Sequence, residues 1–335
     1  MTHEILTIGS CTLDCIINIK DILRFELLEE ENVKKYTAIE YSKKLNVENL
    51  RFIPGGSAAN IAADCAMVNL KSAYIGMIGK DFSAKMCLAD LGSRGVDIDH
   101  INQTDEDKTA FSVILKSGWG KDRSILAYKG ANDLITPSDI DEDLFKNVKA
   151  FAWTSLTREN SCKAIEKCID LTNKYGGKVY AAPSMSIIKN SPKWVHKLIG
   201  KSDVLSLNYE EATALTGKKN NASILKDLFR KDLEKISITD GSDGSIISDG
   251  KTIINSGVYK VSIKDTTGSG DAFMSGIITS DLKNYSLEKS SKFASAFGAF
   301  EAMEIGVREG IPNNFDEIDK FIEENELDQV ISELK

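Results

Sequence analysis

A turn of small residues leads into a single carboxylate in the stretch KDTTGSGDAFMSG, residues 264–276. Apolar residues at helical spacing follow, so a helix should begin near Asp271 with residues 268–270 at its N-terminus. Free backbone N–H groups and the helix dipole favour an anion there, and the glycines let a phosphate come close. Asp271 would suit phosphoryl transfer if it accepts a proton from an attacking hydroxyl. Taken alone, the motif is better explained as an aspartate cap after a glycine-rich turn.

Short β-rich runs alternate with helical patterns along most of the chain, which predicts an α/β fold with a mostly parallel sheet. The expected strands are EILTIGS, SAYIGMIG, KAFAWTS, KVYAAPS, DVLSLN and KISITDG. SAANIAADCAMVNL is expected to be a helix with Ser57 as its N-cap, and Phe293, Phe297 and Phe300 mark a helical core stripe. The last stretch, NNFDEIDKFIEENELDQVISELK, is predicted to be acidic amphipathic helix.

Two stretches interrupt this alternation. Residues 15–50 separate the first strand from PGG by more chain than a βα loop needs, and EYSKKLNVENL within them has a helix-like pattern. Residues 109–130 are predicted to form a β-hairpin around SGWGKD. We expect the two stretches to form a small cover that closes over a site. The plainer alternative is an edge hairpin and a surface insertion.

Composition disfavours several classes of function. The 335 residues carry a net charge of −8 with dispersed basic residues, which argues against a nucleic-acid partner. No apolar run approaches the roughly 18 residues of a membrane helix, and the first residues do not resemble a signal peptide, so we expect a cytoplasmic protein with no membrane partner. The six cysteines have neighbours typical of small core residues in a reducing compartment. Cys11 and Cys15 lack the second pair that a zinc site would need.

DTTGSGDAFMSG resembles the second signature of the PfkB carbohydrate kinase family, the ribokinase-like kinases, and other segments follow in the family's order. GSCTLD resembles the family's first strand and substrate aspartate, PGGSAANIA its first glycine signature, and IGMIGKD its second strand and turn. GANDLITPSDI, NYEEATALTG and ITDGSDG are similar to later blocks. The resemblance covers nearly the whole chain. It implies one ribokinase-like three-layer α/β/α domain over residues 1–335, with a mostly parallel central sheet and a small β-rich lid from about residues 15–50 and 109–130.

The resemblance implies an ATP- and Mg²⁺-dependent kinase that transfers the γ-phosphoryl group to a hydroxymethyl group of a small sugar. Asp271 would be the catalytic base. The anion hole would be formed by Gly268, Ser269 and Gly270, and the acceptor hydroxyls would be held by Asp14, Gly56, Ser57 and Asn60. The phosphates and Mg²⁺, reached through water, would face Asn208 and Glu211. The nucleotide would be lined by Thr239, Gly241 and Gly244, with GAFEAMEIGV beside adenine, and a monovalent cation, K⁺, would lie by Asp265 and Thr267.

Each of these positions also has a plainer explanation. Asp14 could be a turn residue, Asn60 a helix-surface amide, and NYEE the start of a helix whose acidic residues complement the dipole. The ordered set of motifs favours the kinase. GGSAAN and the 15–50 insertion resemble adenosine kinases, YKGANDLI resembles sugar kinases, and GKDFSAK lacks a glycine that is usual there. The acceptor is therefore left open between a sugar and a nucleoside.

Other candidate residues depend on which alternative holds. In a nucleoside kinase the base would stack on Phe111, Trp119 and Tyr128, which would equally suit packing within the hairpin. Lys129 and Arg123 are candidates for contact with phosphate, and the resemblance also suggests a homodimer that pairs through the lid. A non-catalytic sugar sensor on the same fold is the third alternative. The histidines at positions 3, 100 and 196 lie outside every motif and are expected in surface or turn positions.

Overall fold

The computed structural model describes residues 2–19, 22–29, 32–117 and 123–334. Its strands are β1 (Ile5–Ile8), β2 (Thr12–Ile19), β3 (Leu23–Glu29), β4 (Asn32–Ala38), β5 (Val47–Gly55), β6 (Ser72–Gly79), β7 (Ile101–Thr104), β8 (Ala110–Ser117), β9 (Arg123–Tyr128), β10 (Ala150–Trp153), β11 (Lys178–Ala181), β12 (Val204–Asn208), β13 (Lys235–Thr239), β14 (Ser245–Ser248), β15 (Thr252–Ser256) and β16 (Gln329–Glu333). Its helices are α1 (Ser57–Met67), α2 (Phe82–Ser93), α3 (Glu159–Lys174), α4 (Met185–Asn190), α5 (Pro192–Ile199), α6 (Tyr209–Thr216), α7 (Asn221–Phe229), α8 (Ser269–Leu282), α9 (Leu287–Ala302) and α10 (Phe315–Glu324).

A large sheet lies at the centre of the fold. Within the described ranges it has ten strands in the order β16-β15-β14-β13-β12-β11-β10-β1-β6-β7. Pairing is parallel from β7 to β13 and antiparallel from β13 to β16. All six predicted strands are present among the parallel ones, so the expectation of a mostly parallel sheet is confirmed.

Helices cover both faces of this sheet. Because alternate side chains of a strand point to opposite faces, Leu6 and Ile8 of β1 pack in one apolar cluster and Ile5 packs in another. The first cluster includes residues of α3 to α7, and the second includes residues of α1, α8, α9 and α10. The predicted phenylalanine stripe of α9 is buried in the second cluster. The three-layer α/β/α arrangement is therefore confirmed.

A second, smaller sheet leaves the main sheet after β1. We call it the small sheet; it has the order β5-β2-β8-β9. Strand β2 pairs antiparallel with β5 and parallel with β8, and β8 pairs antiparallel with β9 as the predicted hairpin requires. Strands β3 and β4 form a separate antiparallel pair between β2 and β5. The turn of the predicted hairpin, including Trp119, lies outside the described residues.

Three expectations about local structure are wrong. EYSKKLNVENL contains no helix, because residues 47–50 begin β5, whose backbone pairs with β2. The N-cap of α1 is Gly56 and not Ser57, since φ is 98° there and favours glycine. The last predicted helix ends at Glu324, and β16 then pairs with the otherwise free edge of β15. In the described part of the chain, the helices are too short or too polar to cross a bilayer.

Candidate active site

The N-terminus of α8 offers space and hydrogen-bond donors for an anion. Gly268 caps the helix with φ of 86°, and a Cβ there would lie 3.1 Å from the Cα of Val307. Among the described residues, a Cβ on Gly270 would meet nothing within 4 Å, so they leave space open beside the first turn. The buried hydroxyl of Ser269 has no hydrogen-bond partner among the residues described. First-turn N–H groups lack intrahelical acceptors, so the arrangement fits an anion hole.

Asp271 stands on the first turn of α8 and contacts α1. The Nδ2 of Asn60 donates to the Oδ2 of Asp271 over 2.7 Å. Burial raises the pKa of the Asp271 carboxyl, while hydrogen bonds from Asn60 and Ser57 and the charge of Arg308 act against that rise. The carboxylate is only partly exposed. A partly desolvated carboxylate with a raised pKa is a stronger base than one in water, which suits proton abstraction.

Asn60 is held by a buried arginine that the sequence analysis missed. Arg308, 1% exposed, donates from Nε to the Oδ1 of Asn60 over 2.8 Å and from Nη2 to the carbonyl of Gly55 over 2.9 Å. Its Nη1 donates to Asp90 of α2. Because the guanidinium occupies the Oδ1 of Asn60, the amide must turn its Nδ2 towards Asp271. A lone arginine within GVREG was the sequence signal, but its partners lie more than 200 positions away.

Asp14 lies on the small sheet, in β2, and faces the first glycine signature. Its Oδ1 accepts a hydrogen bond of 2.5 Å from the hydroxyl of Ser112, its partner on β8. A Cβ on Gly55 would lie 2.8 Å from the Oδ2 of Asp14, so the carboxylate rests against glycine backbone. Burial raises the pKa of Asp14, while the Ser112 hydroxyl and the Arg308 charge lower it.

The start of α1 completes this group. A Cβ on Gly56 would lie 2.5 Å from the carbonyl oxygen of Ser10, and the N–H of Ser57 donates to the hydroxyl of Ser10 over 3.0 Å. The structure thus brings the predicted acceptor residues and the predicted base together around one buried arginine: Asp14, Gly56, Ser57, Asn60 and Asp271.

The predicted nucleotide residues lie along the carboxyl edge of the main sheet. Asn208 and Thr239 end β12 and β13 and are register partners, and Gly241 and Gly244 follow in the next turn. A Cβ on Gly244 would lie 2.0 Å from the carbonyl oxygen of Ser256, which explains glycine there. Ligands of open α/β sheets bind at this edge.

Asn208 and Glu211 form a capping box on α6. The Oδ1 of Asn208 accepts from the Glu211 N–H over 2.8 Å, and the Oε2 of Glu211 accepts from the Asn208 N–H over 3.0 Å. The Oε1 of Glu211 accepts from the N–H of Met185 over 3.2 Å. Burial raises the pKa of Glu211, and the charge of Asp271 raises it further. With both oxygens already accepting hydrogen bonds, Glu211 suits Mg²⁺ contact through water better than direct ligation.

Asp265 already has a cationic partner. Its Oδ1 accepts from the N–H and hydroxyl of Thr267 at 3.0 and 2.7 Å, and its Oδ2 lies 3.0 Å from the ammonium nitrogen of Lys116 on β8. Burial raises the pKa of Asp265, but the Thr267 hydrogen bonds and Lys116 outweigh it, and the net pKa is lowered. This ion pair joins the small sheet to the segment before the anion hole.

Two of the aromatic residues suggested for base stacking, Phe111 and Tyr128, lie in the described part of the hairpin. Phe111 and Tyr128 are register partners on β8 and β9; Phe111 packs on an apolar cluster, and the Tyr128 hydroxyl donates to Asp107. Lys129 is exposed beyond the end of β9, and the side chain of Arg123 is outside the described part of the chain. The contacts of Phe111 agree with packing, whereas Tyr128 is 50% exposed.

Comparison with known proteins identifies related sequences along nearly the whole chain. A family model described as pfkB family carbohydrate kinase matches residues 2–314. The ATP-dependent 6-phosphofructokinase of Thermoanaerobacterium thermosaccharolyticum is 26% identical over an alignment of 318 residues that covers 93% of this chain and 91% of that protein. The ribokinase of Haemophilus influenzae is 29% identical over an alignment of 283 residues that covers 80% of this chain and 87% of that protein.

The fold is also similar to solved structures. A putative ribokinase II from E. coli, solved in complex with ATP and Mg²⁺, superposes with a TM-score of 0.80 and 17% identity, covering 96% of this chain and 99% of that chain. At this identity the likeness bears on the fold alone.

Proposed function

The chain belongs to the pfkB family of carbohydrate kinases, and on that basis we propose that it transfers the γ-phosphoryl group of ATP to a hydroxymethyl group of a small sugar. The observation that carries the proposal is the position of Asp271. Its partly buried carboxylate stands on the first turn of α8, beside open space at the helix N-terminus, and is oriented by Asn60. Base and anion hole are therefore within one helical turn of each other.

In the proposed reaction, the base, the anion hole and the acceptor residues have separate roles. Asp271 accepts the proton of the acceptor hydroxyl as the new O–P bond forms, and the N–H groups of residues 268–270 stabilise charge on the phosphoryl oxygens. Asp14 accepts hydrogen bonds from other acceptor hydroxyls and, with Gly56, Ser57 and Asn60, fixes the orientation of the acceptor. Positioning and charge stabilisation account for most of the catalysis of phosphoryl transfer.

ATP is proposed to lie along the carboxyl edge of the main sheet. Asn208 and Glu211 would face its phosphates and Mg²⁺, and Thr239, Gly241 and Gly244 would line the nucleotide, with residues 298–307 beside adenine. Bound Mg²⁺ would neutralise charge on the phosphates. The named activity of the Thermoanaerobacterium relative, an ATP-dependent kinase, supports the choice of nucleotide.

The K⁺ site expected at Asp265 and Thr267 is not part of this proposal. Because Lys116 already places a positive charge on Asp265, a second cation at that carboxylate would meet repulsion. We propose that K⁺ contributes little to the rate of the native enzyme. Assays in potassium and in choline chloride at equal ionic strength should differ by less than about twofold, since electrostatic screening is then matched.

The small sheet is proposed to act as a lid over the acceptor and as the contact of a homodimer. Its closure would exclude water and limit hydrolysis of ATP. Exposed apolar side chains on β5 and β9 support the pairing: Val47, Leu50, Phe52, Ile125 and Leu126. A cytoplasmic location is part of the proposal because all six cysteines are buried and unpaired, as in reducing compartments.

The test is a coupled phosphorylation screen with ATP and Mg²⁺. Acceptors are ribose, fructose, fructose 6-phosphate, 2-keto-3-deoxygluconate, adenosine, inosine and cytidine, with Asp271→Asn as the control. Turnover on a free sugar, reduced about 10²–10⁴-fold by Asp271→Asn without loss of acceptor binding, is the expected result. Turnover on a nucleoside alone would favour a nucleoside kinase. Tight binding of one sugar without turnover would identify a non-catalytic sensor.

A further inference from the structure

Two histidines and an aspartate meet at the amino edge of the main sheet, away from the kinase site. His3 lies two residues before the start of β1, and Asp97 and His100 lie in the segment between α2 and β7. The Nε2 of His3 is 2.9 Å and the Nε2 of His100 is 3.9 Å from the Oδ2 of Asp97. The two imidazole rings are 5.5 Å apart and nearly perpendicular, at 87°. One ligand atom from each residue lies within 4.8 Å of the other two.

The backbone holds these side chains in place. The N–H of Asp97 donates to the carbonyl of Ser72 over 2.9 Å, and its own carbonyl accepts from Tyr74 over 3.2 Å. The Oδ1 of Asp97 accepts from the N–H of Asp99 over 3.0 Å, which leaves Oδ2 for the two histidines. The side chains of Asp97 and His100 are each 24% exposed and that of His3 is 6% exposed. The group is therefore pre-positioned, sheltered and still open to a small ion.

We propose that His3, Asp97 and His100 bind a single Zn²⁺ ion, with water as the fourth ligand. Two imidazole nitrogens and one carboxylate oxygen are typical Zn²⁺ ligands, and the ion would draw them to about 2.0–2.2 Å. Mg²⁺ prefers oxygen ligands and would not compete well at this group. In the described part of the chain, the ring nitrogens of His100 have no hydrogen-bond partner, which leaves this histidine free to ligate. The ion would tie the segment before β1 to the turn after α2.

The test is calorimetric titration of ZnCl₂ into the untagged chain. Nucleotide is left out because its phosphates would themselves bind Zn²⁺. The expected result is one Zn²⁺ per chain, with binding weakened at least tenfold in His3→Ala and in His100→Ala. His196→Ala is the matched control, because the third histidine lies on α5 and should leave binding unchanged. Zn²⁺ at a hundredfold excess over its dissociation constant should raise the melting temperature on the order of 5 °C.

Two further measurements keep structural damage apart from loss of a ligand. His100→Ala should melt at the temperature of the native chain when no metal is present. Co²⁺ should give the visible absorption of a tetrahedral site in the native chain and in His196→Ala but not in His100→Ala. Absence of Zn²⁺ binding to the native chain, or binding as strong as that of the native chain in either His3→Ala or His100→Ala, would overturn the proposal. Because the group lies outside the kinase site, neither outcome depends on the acceptor.

Discussion

As the proposed base, Asp271 must be ionised to accept a proton and must also stand where little water reaches it. Burial raises its pKa, and Asn60, Ser57 and the charge of Arg308 limit that rise. The sequence predicted that a helix begins near Asp271, because a glycine-rich turn before a helix is a local pattern, whereas its proposed role as the base came from the family resemblance. It did not predict the role of Arg308. This residue contacts Asn60, Asp90 and Gly55, from which it is separated in sequence by 248, 218 and 253 positions. Such contacts exist only once the chain has folded.

The raised pKa of Asp271 predicts where activity is lost in acid. The base works when deprotonated, so kcat/KM should fall as the pH drops through a pKa above the ordinary 3.8. Arg308→Met removes a positive charge that lowers this pKa, so the acid limb should move to higher pH. Profiles from pH 4.5 to 9 measure the shift.

The matched control for this shift is Arg94→Met. Arg94 also bonds Asp90, but its charge is not among those that act on Asp271. An acid limb that stays in place in Arg308→Met, or moves equally in Arg94→Met, would contradict the role given to Arg308. Melting curves of both variants separate this effect from unfolding.

Glu301 is buried in α9, and its raised pKa predicts that the protein loses stability as the pH rises. Burial raises its pKa from 4.5 to about 7, and its Oε1 has no hydrogen-bond partner among the described residues. A carboxyl whose pKa is raised by folding stabilises the protein fully below pH 4.5, and this stability is lost as the pH rises towards 7. Glu301→Gln cannot ionise, so relative to the native chain it should gain on the order of 2–3 kcal/mol between pH 5 and pH 8. Urea unfolding of both proteins at the two pH values measures this gain. If the difference in unfolding free energy between Glu301→Gln and the native chain is the same at pH 5 and pH 8, the prediction is wrong.

At the scale of elements, the sequence predicted best where one strand or helix carries its own pattern. The parallel strands are continuous apolar runs, and α8 and α9 repeat at helical spacing, so both were found. The first four residues of β5 and all of β16 were predicted as helix because their pairing partners, β2 and β15, are distant in sequence and leave no local signal. The tertiary pairing decided their structure.

The close contact of α8 and α9 predicts the effect of one methyl group. A Cβ on Gly276 would lie 2.6 Å from the Cα of Ala294, and backbone cannot move aside. Gly276→Ala should therefore cost about 1–3 kcal/mol of unfolding free energy through overpacking. Gly200→Ala is the control: its Cβ would meet no atom closer than 3.5 Å, at an ordinary φ of −66°, and its effect should stay within about 0.5 kcal/mol. Equal unfolding free energies for the two variants would contradict the close contact.

At the scale of the whole molecule, the proposed acceptor and phosphate sites belong to different sheets. Asp14 and Lys116 lie on the small sheet, whereas Asp265 and Asp271 lie on the segment and helix that cover the main sheet. The ion pair of Lys116 and Asp265 spans the two. The sequence predicted both sheets but not this pair, because neither residue lies in a motif with the other.

Lys116→Met should make the enzyme dependent on K⁺. Without the ammonium group, Asp265 is left as a buried unpaired carboxylate, and a monovalent cation can take its place. The rate of the variant should rise several-fold with KCl, whereas the native rate should not. Choline chloride at the same concentration controls for ionic strength, and Lys80→Met, which removes an exposed ion pair, controls for the loss of charge. Equal KCl responses in the two variants would contradict the prediction.

The antiparallel pair β3–β4 has a consequence for how such a chain can change over generations. This pair lies in sequence between β2 and β5. In the described residues, β3 and β4 pair only with each other and with no strand of the main sheet. Insertions, deletions and substitutions there should leave the proposed base, anion hole and nucleotide edge where they are. Selection can therefore act on this one appendage while the inherited chemistry is kept, so descendants of one ancestor can diverge at this pair first.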